Sequence, residues 1–259
     1  MKPRDPVSDK PSISFIVLAL NEEDNIEMTV ETILKAVEKS GPSDYQIVLV
    51  NDASTDKTGG IMEKLAISNP KIKVVHNEVN LGLGGAYKRG IAFAQCDYLM
   101  IVAADNVMPA QDMSAILDHL GQADIILPFL TNPALRPLAR RIGSWGFTTL
   151  VNFLFGLRVR YYQGMLPRRA YLNRISITTD SYAFPAEATV KLIKAGCSFV
   201  EVGIGNTPSY RGRSRALQPK RLLGVLKGVV NLVREIRRPG AIPSAADMKP
   251  CSTNEKGGA

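Results

Sequence analysis

Ile13-Ser-Phe-Ile-Val-Leu-Ala-Leu-Asn-Glu22 is the stretch on which the reading of the fold turns. Ile13–Leu18 is an apolar run rich in branched residues, which predicts a strand buried on both faces, as in a parallel sheet. Asn21 is placed to cap a following helix, with Glu22, Glu23 and Asp24 favourable in its first turn. The same unit recurs down the chain. Gln46–Val50 is a second such strand, and Asp52-Ala-Ser-Thr-Asp56 a turn into a helix reaching Asn69. Lys71–His76 is a third strand, followed over Gly82–Gln95 by a loop turning into a helix. Tyr98–Val102 is a fourth strand, Ala110–Leu120 a helix, and Ile125–Pro128 a short fifth strand. Strands alternating with helices imply an α/β layered fold with a mainly parallel sheet. Ligands of such sheets bind beyond the carboxyl ends of the strands. The loops at those ends carry Asn21-Glu22, Asn51-Asp52 and Asp105-Asn106, which sets oxygen-bearing side chains on one rim.

The 259 residues, 45% of them apolar, suit one large domain with room for a C-terminal extension. Charge is divided unevenly. Residues 1–128 hold 11 Lys and Arg against 18 Asp and Glu, whereas residues 129–238 hold 19 against 4. A basic second half implies an anionic partner there (a phosphate, a membrane surface or a nucleic acid) or a solvated basic face. Cys96, Cys197 and Cys251 are far apart and match no zinc or disulfide spacing, which points to a reducing compartment. The polar stretch Met1–Ser12 has no apolar core of a signal peptide. No apolar run reaches the ~18 residues of a membrane span; the nearest, Ile142–Leu157, contains Thr148, Thr149 and Asn152. A nicotinamide-binding fingerprint would need glycines directly after the first strand, and residues 19–24 have none. Nucleic-acid binding is suggested by net charge alone, since aromatics are 7% and no known motif appears.

Four motifs occur in order: Phe15-Ile-Val-Leu-Ala-Leu-Asn-Glu22, Val48-Leu-Val-Asn-Asp-Ala-Ser-Thr-Asp56, Asn80-Leu-Gly-Leu-Gly-Gly-Ala-Tyr87, and the segment Tyr98 to Pro109. Together they resemble the family 2 glycosyltransferases, and within them the dolichyl- and polyprenyl-phosphate sugar transferases. Weaker similarity continues through Gln163-Gly164, Tyr182-Ala-Phe-Pro-Ala-Glu187 and Tyr210-Arg-Gly-Arg-Ser-Arg215, so that Ser12 to Arg238 is covered. The resemblance implies a GT-A fold, an inverting transfer and a nucleotide-sugar donor. It also implies a flexible N-terminus over 1–11, a catalytic domain over 12–217, an amphipathic basic helix over 218–238 and a disordered tail over 239–259. Donor contacts then fall on Leu18, Ala19, Asn21, Glu22, Val50, Asp52, Gly84, Ala103, Ala104, Asp105 and Arg213, with Asp52 facing the nucleoside. Each has a plainer alternative: Asp52 or Ser54 as a helix cap, Glu22 as a first-turn acid, Gly82, Gly84 and Gly85 as backbone devices.

One departure stands out. In Val102-Ala-Ala-Asp105, Ala103 occupies the place of the first acid in the family's Asp-x-Asp metal motif, which leaves Asp105 as the sole carboxylate. Mg²⁺ or Mn²⁺ held weakly by Asp105 and the donor diphosphate, with Asn106 assisting, ranks first. Neutralisation by basic side chains without metal ranks second, and a catalytically impaired nucleotide-sugar-binding protein third. Leu18 and Leu20 also replace a Pro and a Tyr common in the opening motif, and Val107 a frequent Gln.

The second half bears on the acceptor. Ile142–Leu157 is bracketed by Arg140, Arg141, Arg158 and Arg160, as in a segment lying on a membrane surface or, alternatively, a buried core helix. Over Pro219–Arg238, Leu222, Val225, Leu226, Val229, Val233 and Ile236 share one helical face, opposite Lys220, Lys227, Arg234 and Arg238. Such a helix lies on an anionic bilayer or docks on the catalytic domain with its basic face solvated. An alcohol acceptor needs a carboxylate base, which the resemblance places at Glu187; a lipid phosphate is already anionic and needs cationic positioning instead. Arg136, Arg140, Arg141, Arg211 and Arg213 are the phosphate-contact candidates, and Asp105, Glu187 and Arg211 the catalytic ones. The resulting expectation is a cytoplasmic protein, peripheral at the membrane, that moves sugar from a GDP- or UDP-linked donor to polyprenyl or dolichyl phosphate. A soluble or polysaccharide acceptor is the rival.

Overall fold

The computed structural model describes residues 10–162, 164–205, 219–238, 240, 242–243 and 248, with the backbone alone for 219–223. The first half alternates as its periodicity requires: β1 (Ile13–Ala19), α1 (Ile26–Ser40), β2 (Tyr45–Asn51), α2 (Thr58–Ser68), β3 (Ile72–His76), α3 (Gly82–Ile91) and β4 (Tyr98–Ala103). Every residue of β1 is buried. Successive side chains of a strand point to opposite faces, so β1 must feed two cores. Ile13, Phe15 and Val17 join Ile26, Ile33 and Ile47 under α1, while Ile16 and Leu18 join Val48, Val50, Ala86 and Tyr87 under α3. That two-sided burial is why the stretch carries no polar face.

The four strands are all parallel in the order β3-β2-β1-β4. The chain winds one way from β1 to β3 and then crosses to the far side of β1. Beyond the carboxyl ends of β1 and β4 lies the crevice where such sheets take ligands. Register sets Ala103 beside Leu18 and Asn51 beside Ala19 at its edge.

Next come α4 (Ala110–Leu117), β5 (Ile125–Leu130), α5 (Leu138–Phe155), β6 (Leu166–Pro167), α6 (Arg169–Leu172), α7 (Phe184–Lys194), β7 (Phe199–Ile204) and α8 (Pro219–Ile236). The sequence reading carried no strand beyond Pro128. Yet β6 and β7 flank β5 in a second sheet, β6 antiparallel and β7 parallel. An antiparallel bridge from Arg168, just past β6, to Tyr98 joins that sheet to β4. Since β6 opposes both, β5 points the same way as β4, and its carboxyl end opens on the same side as the crevice.

Two local expectations are resolved by the structure. Asn21 caps no helix: α1 begins at Ile26, and Asn21 sits in the left-handed region at φ +56°. The carbonyl of Glu22 takes the first amides, those of Asn25 and Ile26, instead. The apolar face of α8 is not free for a bilayer, because Val229 and Leu232 are buried and Val233 and Ile236 pack on the α7 core. Lys227 and Arg234 stay on the solvent side, along with Leu226 and Val230. Ile242 and Met248, beyond α8, pack on that same core.

Gly84 shows how closely the halves meet. A Cβ there would stand 2.7 Å from the Asp180 Cα. Gly84→Ala is expected to cost about 1–3 kcal/mol through forced displacement of backbone. Urea denaturation checks this; a wild-type midpoint would mean that the Asp180 segment yields freely.

Candidate functional site

The rim at the crevice is built from loops that brace one another. The Asn21 amide donates to Ser54 Oγ at 3.0 Å, and the Thr55 amide donates to Asn21 Oδ1 at 2.8 Å. The Glu22 amide donates to Thr58 Oγ1 at 2.9 Å, and the Lys57 amide to Glu23 Oε2 at 3.0 Å. These bonds lock the loop after β1 to the loop after β2. The Glu22 carboxylate holds its own loop, accepting from Asn25 Nδ2 at 2.8 Å.

Asp52 is buried and works inward. Its Oδ1 accepts from Asn77 Nδ2 at 2.9 Å and the Leu81 amide at 2.8 Å, and its Oδ2 accepts from the Gly82 amide at 3.0 Å. One carboxylate therefore gathers the loop after β3 and the first turn of α3. Neither Asp52 nor Ser54 caps α2; the Thr58 amide is held by Asp56 Oδ1 at 3.0 Å. The glycines of the third motif are backbone devices: Gly82 has φ +71°, and Gly84 admits the Asp180 carbonyl, to which its amide donates at 3.2 Å. Leu18, Ala19 and Val50 form the floor. Their side chains are in the core, and the carbonyls of Leu18 and Ala19 accept the amides of Ala104 and Asp52.

On the β4 side Ala103 is exposed, Ala104 is buried and Asp105 is half-buried. Burial pushes the Asp105 carboxyl above its usual range, against weaker help from its own amide and that of Val107. Asn106 does not assist it: held at φ +50°, it accepts Thr32 Oγ1 of α1 at 2.9 Å. Among the described residues no three His, Cys, Asp or Glu side chains gather into a metal cluster. At the place of the metal motif the chain offers a single carboxylate, Asp105. That donor set suits an ion held jointly with the oxygens of a diphosphate and not one held by the protein alone.

On the acceptor side, Glu187 is held within the fold. It is buried, with both oxygens engaged: Oε1 accepts from the Thr178 amide (2.8 Å), Thr178 Oγ1 (2.9 Å) and Lys191 Nζ (2.7 Å), and Oε2 from the Thr179 amide (2.9 Å). Burial acts to raise its pKa, but Lys191 and the two amides outweigh it and hold the carboxyl below its usual range. Oε1 is fully engaged, Oε2 carries one bond, and the pairing with Lys191 makes Glu187 a weak base. Arg211 and Arg213 lie outside the described residues.

A groove of about 500 Å³ opens between the end of β5 and α5, lined by Phe129, Leu130, Ile142 and Trp145 with Arg136, Arg141 and Arg160. Arg136 donates to Tyr161 Oη at 2.8 Å, and the Arg160 guanidinium lies 4.5 Å over the Phe129 ring. Nothing in the motif pattern singled out Phe129 or Tyr161, because the groove exists only once α5 folds beside β5. On α5 itself only Val151 and Phe155 are buried; Leu138, Ile142, Trp145, Phe153 and Leu154 are exposed, Phe153 by 83%. Among the described residues no helix is long and apolar enough to cross a membrane.

Known proteins resemble the chain in sequence and in shape. The undecaprenyl-phosphate mannosyltransferase of Micrococcus luteus is 25% identical over 214 residues, 77% of this chain and 85% of that protein. The polyprenol monophosphomannose synthase of Mycolicibacterium smegmatis is 27% identical over 227 residues, 82% of this chain and 84% of its own length. The crystal structure of glucosyl-3-phosphoglycerate synthase from Mycobacterium tuberculosis, with Mn²⁺, UDP and glucosyl-3-phosphoglycerate, superposes with a TM-score of 0.61. The match covers 91% of this chain and 82% of that one at 18% identity, which speaks to the fold alone. The profile of glycosyl transferase family 2 matches residues 14–165, from β1 across the crevice to the start of β6, and the chain belongs to that family: it is a glycosyltransferase with a GT-A fold.

Proposed function

We propose that the chain moves a sugar from a UDP- or GDP-linked donor to a polyprenyl or dolichyl phosphate at an anionic membrane surface. The observation that carries this reading is the stretch from Ile125 to Thr179, which holds eight arginines and no Asp or Glu. Within it lie the Arg-lined groove and the exposed apolar face of α5. A phosphate monoester needs no general base, only cations to place it. Arg136, Arg140 and Arg141 are the contacts proposed for that phosphate. The named relatives point the same way, being transferases of polyprenyl phosphates.

The donor would lie along the rim, its nucleoside by Asp52 and its diphosphate toward Asp105. One phosphate oxygen of the acceptor attacks the anomeric carbon as the bond from that carbon to the nucleoside diphosphate breaks, which inverts the centre. The leaving diphosphate takes the electron pair. A divalent ion held by Asp105 and the diphosphate would supply neutralisation of that charge. Arginines and Asp52 only bind and orient, and Glu187 holds the 178–179 segment.

The membrane contact is assigned to α5 rather than α8. An exposed apolar stripe of this length calls for a partner, and Arg140, Arg141 and Arg158 flanking it suit an anionic bilayer, Arg160 being paired with Glu201 at 3.5 Å. Phe153→Glu, outside the groove lining, should lower partition onto phosphatidylglycerol vesicles about tenfold and leave turnover of a detergent-dispersed short-chain polyprenyl phosphate near wild type. Unchanged sedimentation would take α5 off the membrane. Transfer to 3-phosphoglycerate but not to polyprenyl phosphate would give the groove a soluble phosphorylated acceptor.

A further inference from the structure

A buried lysine in the second half is joined to more than its own helix. Lys191 on α7 is 2% exposed, and its three ammonium protons have three acceptors: the Ser176 carbonyl at 2.6 Å, Glu187 Oε1 at 2.7 Å and Glu235 Oε1 at 2.7 Å. Burying an ammonium costs several kcal/mol unless every proton is satisfied, so this pairing is a condition of the fold. Glu235 lies on α8, whereas Ser176 lies in the segment leading to α7. One cation therefore ties three parts of the chain.

The bonds continue toward the rim. Glu187 holds the amides of Thr178 and Thr179. Asp180 then crosses to α3, its carbonyl accepting the Gly84 amide and its carboxylate pairing with Lys88 at 2.6 Å. The first turn of α3 is bound by Asp52 through the Leu81 and Gly82 amides. α8 also leans on the same segment: a Cβ on Gly228 would meet Thr179 Oγ1 at 3.2 Å and the Ala183 Cβ at 3.3 Å. Polar contacts, joined through the backbone at residues 179–180 and 82–84, thus run from α8 to Asp52.

We infer that Lys191 is a positioning residue: through it, docking of α8 holds the 176–180 segment and the glycine-rich loop in the geometry that receives the nucleotide. The inference rests on the reading that the rim takes the donor. A lysine that merely fastened α8 to α7 would affect stability and leave the loop untouched.

Glu235→Gln tests this, because it keeps the shape, withdraws one charge and leaves Glu187 as the counter-ion. Amide hydrogen exchange at Leu81, Gly82 and Gly84 should quicken about tenfold while β1 and β2 amides keep their rates. Affinity for UDP or GDP, whichever the wild type binds, should fall about fivefold by calorimetry. In a Lys88→Met background, which removes the ion pair to Asp180 and leaves only the Gly84 amide bond to α3, Glu235→Gln should add less to both effects than it does in wild type, and full additivity would count against the network. A lowered denaturation midpoint with wild-type exchange at residues 81–84 would overturn the inference. If wild type binds neither nucleotide, the donor reading fails, and the exchange measurement still decides whether the network reaches the loop.

Discussion

Asp52→Ala is expected to cost about 3 kcal/mol of stability, because two backbone amides and a buried side-chain amide lose an ionised acceptor. Asn77 is left worst off: its Nδ2 would lose its partner, and its buried Oδ1 has none in this structure. The Gly82 amide keeps a bond to Asn80 Oδ1 at 2.9 Å, so the loop should loosen rather than unravel. Nucleotide affinity should drop by about 1–3 kcal/mol, since both a direct contact and the ordering of the loop are removed. Asp52→Asn should recover part of the stability, one oxygen still accepting. Denaturation midpoints and calorimetry with UDP and GDP measure the two effects separately. An unchanged midpoint would deny Asp52 its anchoring role, and unchanged affinity in a folded variant would remove it from the donor site.

Asp105 carries the other large effect. Asp105→Ala should lower turnover about a hundredfold and remove any response to Mg²⁺ or Mn²⁺, because it deletes the carboxylate proposed to hold the ion with the donor diphosphate. The stability change should have the opposite sign. Burial raises the folded-state pKa of Asp105 above its ordinary 3.8, so the folded chain binds this proton more tightly than the unfolded chain. The group's contribution is complete below pH 3.8 and is lost as pH rises through the raised pKa. At neutral pH, Asp105→Asn should therefore melt higher than wild type, and the gap should close as pH falls toward 3.8. Metal-supported turnover should decline over the same window as the carboxylate takes up its proton. Ala103→Asp, at an exposed position, should tighten metal binding in the presence of nucleotide. Full wild-type activity in chelator, unaltered in Asp105→Ala, would move diphosphate neutralisation to the arginines. Activity that appears only in Ala103→Asp would mark the natural chain as catalytically impaired.

The parallel strands were legible because their cause is local. Ile13–Leu18, Gln46–Val50 and Tyr98–Val102 are apolar on both faces, and only burial between two helical layers tolerates that. The glycines of the third motif were legible as backbone devices for a similar reason, since a missing side chain is visible in the sequence. Asn21 misled because an Asx residue ahead of a helix reads as a cap whether it caps or stitches. Here the left-handed backbone turns its side chain to Thr55, which no local pattern announces.

By itself the sequence determined the alternating first half, the family and the single carboxylate of Val102-Ala-Ala-Asp105. Each of these follows from residue type and spacing along a short stretch. The tertiary structure alone decided which charges are spent and which face outward. Glu187, read as a candidate base, is tied to Lys191, Thr178 and Thr179; Asp52, read as a nucleoside contact, anchors the loop after β3. It decided, too, between two amphipathic helices: α8 docks Val229 and Leu232 inward, whereas α5 buries only Val151 and Phe155 and leaves Leu138, Ile142, Trp145 and Phe153 exposed. Periodicity tells that a face is apolar, but only the arrangement of distant segments determines whether anything in the chain is there to meet it.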